Sequence, residues 1–91
     1  PKADYRDLIH NRNAQIIDVR TTAEYRGGHI KKSVNIPLNS LQNAEKKIKK
    51  DRPVILCCAS GMRSSQATRM LKSKGLEAYN GGSWHSVNRF V

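Results

Sequence analysis

Six apolar residues in a row, Val54-Ile55-Leu56-Cys57-Cys58-Ala59, form the longest uninterrupted apolar run of the chain, with Pro53 before them and Ser60-Gly61 after. The run is too short for a helix and has no polar alternation, so Pro53 to Cys57 reads as a strand buried on both faces. Pro53 stands at its first residue, where a missing N–H is tolerated. Strands covered on both faces belong to parallel sheets, in which helices pack above and below. The same run falls far short of the roughly 18 apolar residues that span a membrane.

The flanking sequence alternates in the way such a sheet requires. Tyr5, Leu8 and Ile9 form a helical stripe that Asp4 or Ala3 would begin, and Asn11-Arg12-Asn13 closes it. Gln15 to Val19 is a β-branched run. Thr21-x-x-Glu24 has the spacing of a capping box, which starts a short helix ending before Gly27-Gly28. Ser33 to Ile36 is a brief strand, closed by Pro37. Asn39-x-x-Gln42 repeats the capping spacing ahead of Leu41, Ala44 and Ile48, and predicts another helix. After the central strand, Ala59-Ser60-Gly61 turns into a helix with Ala67, Met70 and Leu71 on one face, and Gly75 ends it with Leu76 as its apolar contact. Ala78 to Asn80 is a last strand before Gly81-Gly82, and Ser83 caps a terminal helix. The expectation is one α/β domain over residues 1–91, a small parallel sheet with helices on both faces.

Ninety-one residues support one core, burying roughly 60–70% of the unfolded surface. The two cysteines are adjacent and cannot build a disulfide framework, because on a strand their side chains point to opposite faces. Adjacent thiols also make poor metal ligands, and His10, His29 and His85 complete no zinc motif, so no metal is expected. Reduced thiols fit a cytoplasmic setting. Pro1-Lys2-Ala3 has no apolar segment behind it, so no signal peptide is expected.

Ligands of parallel α/β sheets bind beyond the carboxyl ends of the strands, and that end of the strongest strand carries Cys58. A thiol at the base of a strand-to-helix loop can collect backbone N–H groups, the partial charge of a helix N-terminus and the full charge of Arg63. Each favours thiolate over thiol and would also hold an anion attached to the sulfur. Gly61 lets the loop curl inward, and Ser64 can cap or donate at the helix start. The plainer alternative is two buried structural thiols. It suits Cys57, which continues the apolar run, better than Cys58.

Four blocks in register then resemble the single-domain rhodaneses of the rhodanese-like sulfurtransferase superfamily. They are Ile17-Asp18-Val19-Arg20 with Glu24-Tyr25, Gly28-His29-Ile30 through Val34-Asn35-Ile36-Pro37-Leu38, Cys58-x-x-Gly61-x-Arg63-Ser64, and Gly81-Gly82 with Trp84. The resemblance covers about residues 4–85. It implies a transferase that takes sulfane sulfur from a donor such as thiosulfate onto Cys58 as a persulfide and passes it to cyanide, a thiol or a protein. No cofactor beyond that persulfide is implied. Ala59, Ser60, Gly61, Met62, Arg63 and Ser64 would hold the donor, while Asp18, Arg20, Glu24 and His29 would brace the site. Arg20 and Glu24 also have the spacing of a local ion pair.

Two departures from the family pattern bear on this. The first edge strand is missing or reduced to Pro1 to Ala3, and Cys57 replaces the aromatic residue common before the nucleophile. The doublet permits a second frame. Cys58-x4-Arg63 has the loop length of sulfurtransferases, whereas Cys57-x5-Arg63 has that of cysteine phosphatases. We take the shorter loop, because the longer one ends the strand early and displaces Gly61. A phosphatase using Cys57 and a non-catalytic protein-binding module stand as alternatives.

Seventeen Lys and Arg against seven Asp and Glu give a formal charge of +10. Lys46-Lys47-Ile48-Lys49-Lys50 is the densest stretch, with Ile48 inward and the lysines in water. Aromatic residues are 5% of the chain, too few for stacking on bases, so specific nucleic-acid binding is not expected. The positive field instead suits a small anionic donor or an acidic partner, acting on a monomer.

Overall fold

The computed structural model describes residues 3–91. Four strands, β1 (Gln15–Asp18), β2 (Val34–Asn35), β3 (Val54–Cys58) and β4 (Ala78–Ser83), form one sheet in the order β2-β1-β3-β4. Every pairing is parallel. The helices are α1 (Tyr5–His10), α2 (Thr22–Arg26), α3 (Met62–Ser73) and α4 (Trp84–Asn88). The first edge strand is expected to be missing or reduced to Pro1–Ala3; Pro1 and Lys2 lie outside the described residues, and Ala3 is not in a strand.

All five residues of β3 are fully buried, which is why the longest apolar run occupies the centre of the sheet. Alternation along the strand divides them between two cores. Val54, Leu56 and Cys58 join Ile17, Leu41, Ala67 and Leu71 beneath α3, while Ile55 and Cys57 join Leu8, Ile16, Ile30 and Val87 beneath α1 and α4. Helices therefore cover both faces, as the sequence requires.

Local chemistry sets the shorter elements. Asp4 caps α1 by accepting from the Asp7 N–H, and Ser83 caps α4 by accepting from the His85 N–H. At α2 the capping box is complete: the Thr21 hydroxyl accepts from the Glu24 N–H, and the Glu24 carboxylate accepts from the Thr21 N–H.

Two expectations are corrected. The helix expected around residues 39–48 is instead a pair of 3-10 segments, Leu38–Asn43 and Glu45–Lys47, separated at Ala44. Pro37 precedes the first, and no side chain caps either, so the Asn39-x-x-Gln42 spacing marks no capping box. Leu38, Leu41 and Ala44 recur every third residue, the 3-10 period, and face the core beneath α3. The second correction concerns Gly81-Gly82, which does not end the last strand but lies within it. Opposite Leu56 and Cys57 the β4 register skips from Asn80 to Gly82, leaving Gly81 as the extra residue of a bulge. A Cβ on Gly81 would stand 2.5 Å from a Val87 methyl and 2.9 Å from an Ile55 methyl, so only glycine lets α4 close over the sheet there.

Candidate functional site

The carboxyl end of β3 delivers Cys58 into the loop 59–61, and α3 begins at Met62. Gly61 has φ +106°, a conformation that L side chains rarely adopt, and this bends its N–H back onto the Cys58 Sγ at 3.0 Å. The Ser64 N–H, in the first turn of α3, also points at the sulfur at 3.4 Å, and the Ser64 Oγ lies 3.4 Å away. Burial pushes the Cys58 thiol up, but the Ser64 hydroxyl and the N–H groups of Ser64, Gly61 and Ser60 outweigh it, so the net shift is downward. Ala59 and Ser60 are exposed, and Met62 projects from the loop, 80% exposed.

Cys57, one residue earlier, lies in the opposite core. Desolvation, reinforced by the nearby Asp18 carboxylate, pushes its thiol up to about 12. The loop's N–H donors serve Cys58 and not Cys57, so the geometry gives the Cys57-x5-Arg63 frame no support.

Arg63 stands at the rim of the loop. Its guanidinium donates to both oxygens of Glu24, at 2.7 and 3.0 Å. Arg63 and the Thr21 N–H together hold the Glu24 carboxyl down at about 2. Thus Glu24 pairs with Arg63, not with Arg20: its carboxylate already caps α2 from within and faces the loop across the site. Arg20 turns instead to Asp18, donating through Nε and Nη2, the latter at 2.7 Å, while both side chains are buried. Arg20 also donates to the Gly28 carbonyl and lies over the Trp84 ring at 4.9 Å. This pair ties β1, the loop after α2 and α4 together beside Cys57. His29 is exposed, stacked on Tyr25 at 3.8 Å and bonded to the Tyr25 carbonyl. It fastens the end of α2 and makes no bond to the Cys58 loop.

The structure adds one residue to those expected. Asn80 Oδ1 accepts from the Ser64 hydroxyl at 2.6 Å and from the Gly82 N–H at 3.0 Å. The sequence places Asn80 only as the end of a strand, and the bulge at Gly81 that turns its amide toward Gly82 is not visible in local composition. An open groove of about 640 Å³ lies beside Arg63, walled by Val19, Leu38 and Met70 with Asn39 and Gln42. Lys46, Lys47, Lys49 and Lys50 are exposed. Among the described residues no group of His, Cys, Asp or Glu side chains is arranged to hold a metal, and no helix is long and apolar enough to cross a membrane.

A four-strand parallel α/β domain with a lone thiol held in a strand-to-helix loop defines a narrow class of proteins, and the comparisons agree with it. The family model described as a rhodanese-like domain matches residues 2–86, and the chain belongs to that family. It is 44% identical over 70 residues to the uncharacterized protein YqhL of Bacillus subtilis, covering 76% of this chain and 56% of that protein. It is 28% identical to a thiosulfate sulfurtransferase GlpE of Shewanella oneidensis, over 89% of this chain and 85% of that one. A rhodanese-like domain protein of Staphylococcus aureus superposes with a TM-score of 0.78 at 29% identity, covering 89% of this chain and 80% of the other. Other relatives are named tRNA sulfurtransferase and tRNA uridine(34) hydroxylase, and of these the chain spans only 14% and 26%.

Proposed function

We propose that this domain is a sulfurtransferase that carries sulfane sulfur on Cys58, taking it from a small anionic donor such as thiosulfate. The observation that carries this reading is the convergence of the Gly61 and Ser64 N–H groups on a single sulfur at the carboxyl end of β3. A thiolate held there attacks the outer sulfur of thiosulfate. The new Cys58 S–S bond forms as the donor's S–S bond breaks, sulfite leaves with the bonding pair, and the negative charge ends on the terminal sulfur of the persulfide. Cyanide or a thiolate then attacks that terminal sulfur, takes it away as thiocyanate or a new persulfide, and returns the Cys58 thiolate. No net oxidation or reduction of the protein occurs across the cycle.

The chain's own groups serve each stage. Loop N–H donors stabilise the charge on sulfur without reorganising, and Arg63 adds a positive charge at the rim through which an anion must approach. Asp18 and Arg20 hold β1 and the loop after α2 in place, and Glu24 fixes Arg63. Relatives named as sulfurtransferases favour the same chemistry. The test is transfer from thiosulfate to cyanide by the wild type, Cys57→Ser and Cys58→Ser. Thiocyanate production is expected from the first two and absent from the third. Transfer surviving Cys58→Ser would overturn the proposal, and a protein with no turnover and no persulfide would be a binding module.

A further inference from the structure

The Ser64 hydroxyl has one proton and three acceptors within reach: Asn80 Oδ1 at 2.6 Å, the Gly61 carbonyl at 3.2 Å and Cys58 Sγ at 3.4 Å. The amide orientation of Asn80 is fixed independently, since the Gly82 N–H requires its oxygen on that side and its Nδ2 faces the Gly61 carbonyl at 3.4 Å. Asn80 Oδ1 is therefore an acceptor, it is the nearest one, and a hydroxyl donating to it presents its lone pairs to the sulfur. A Cys58 thiol can then donate to Ser64, whereas a thiolate needs the reverse arrangement.

We propose that Asn80 is a positioning residue that draws the Ser64 proton away from Cys58, so that Ser64 accepts from the neutral thiol and swings to donate only when negative charge rests on Sγ. The inference rests on the sulfur-transfer reading for its purpose. In that cycle the charge leaves Sγ when the persulfide forms and returns when the sulfur is delivered, and the hydroxyl follows it between two partners. Only a rotation about the Ser64 Cβ–Oγ bond is needed. The proton lost by the thiol on ionisation goes to solvent, and Ser64 keeps its own throughout.

Among the described residues one unmatched cation faces the pair, Arg69 of α3. It lines the same surface depression as Asn80 and Gly61 and donates to the Ser65 hydroxyl, and it is present unchanged in every variant of the cycle. The other charged groups nearby are paired or neutral. Arg63 of α3 is paired with Glu24 of α2, Asp18 of β1 is paired with Arg20, and Cys57 on β3 stays neutral with its thiol near 12. Asn80 is exposed and on the last strand, so changing its side chain leaves the core intact.

The experiment is the pH midpoint of Cys58 alkylation by iodoacetamide, followed by peptide mapping, in a double-mutant cycle. Asn80→Ala frees the hydroxyl for the thiolate and lowers the midpoint by about half to one pH unit, the size of one net hydrogen bond. Ser64→Ala raises it. In the Ser64→Ala background, Asn80→Ala has no effect. Should Asn80→Ala fold poorly, Asn80→Asp serves, because a carboxylate holds the Ser64 proton more firmly and raises the midpoint more with Ser64 present than without it. An unchanged or raised midpoint in Asn80→Ala, or equal shifts with and without Ser64, would overturn the proposal. The readout uses no sulfur donor, so absence of a persulfide would defeat the proposed function while leaving this result standing.

Discussion

Cys57 and Cys58 share a peptide bond, yet the pleat of β3 sends one into the core under α1 and α4 and the other beneath α3 at the mouth of a loop. Both are fully buried. What separates them is the company each keeps. Around Cys57 burial and the Asp18 carboxylate both disfavour a thiolate, and its thiol is pushed up to about 12. Around Cys58 the cost of burial is exceeded by hydrogen bonds from Ser64 and from three backbone N–H groups, and its thiol falls below the ordinary value of 9.0. Burial alone does not make a cysteine inert or reactive. The direction of neighbouring N–H groups does, and a loop with one left-handed glycine supplies that direction.

The sharpest way to break this comparison is labelling. At neutral pH the thiolate resides on Cys58 and not on Cys57, because the loop donors hold the Cys58 thiol below its ordinary value while burial and Asp18 push the Cys57 thiol up to about 12. Limited alkylation followed by peptide mapping is expected to place nearly all label on Cys58. Equal labelling, or label on Cys57 first, contradicts the assignment.

A second prediction concerns the scaffold on the Cys57 side. Asp18→Ala leaves the Arg20 guanidinium buried without its carboxylate, and is expected to cost about 3–5 kcal/mol in denaturant unfolding. Asp18→Ala with Arg20→Met should recover a good part of that loss. A single variant as stable as the wild type would mean that the pair does not organise β1.

Arg63→Ala tests the Cys58 side more gently. Arg63 makes no bond to the sulfur and is already matched by Glu24, so its loss should slow transfer from thiosulfate by about tenfold, less than the ~10²–10³ of a direct oxyanion donor. The alkylated residue should stay the same.

Glu24 gives a pH test of the same contact. Its folded pKa of about 2 lies below the ordinary 4.5, so the stability it contributes is full above about 4.5 and is lost as pH falls through about 2. The stability difference between the wild type and Glu24→Gln should therefore shrink over that window, and the Glu24 carboxyl should titrate at its lower end by NMR. Smallest of all is the effect of salt. Screening of the +10 field should slow the thiosulfate reaction severalfold at most, since exposed lysines act at a distance.

Much of this was legible in the sequence because it is local. The central strand is an unbroken apolar run, the α2 capping box is four residues long, and the Cys58-x4-Arg63 loop carries its own glycine. What was not legible falls mostly where distant residues decide, and in one stretch where two local periods overlap. Arg20 and Glu24 have the spacing of a pair, but Glu24 is taken by Arg63, thirty-nine positions away, and Arg20 by its near neighbour Asp18. Asn80 meets Ser64 only because β4 bulges at Gly81. The 3-10 segments were written in the three-residue recurrence of Leu38, Leu41 and Ala44, which a helical stripe through Leu41, Ala44 and Ile48 overlays.

The central claim is that Cys58 carries the sulfur. Incubating the protein with thiosulfate without reductant, then mapping mass by peptide, tests it most directly. The account predicts a gain of one sulfur atom on Cys58 alone, removed by cyanide. A sulfur atom on Cys57, or no gain on either cysteine, would contradict it.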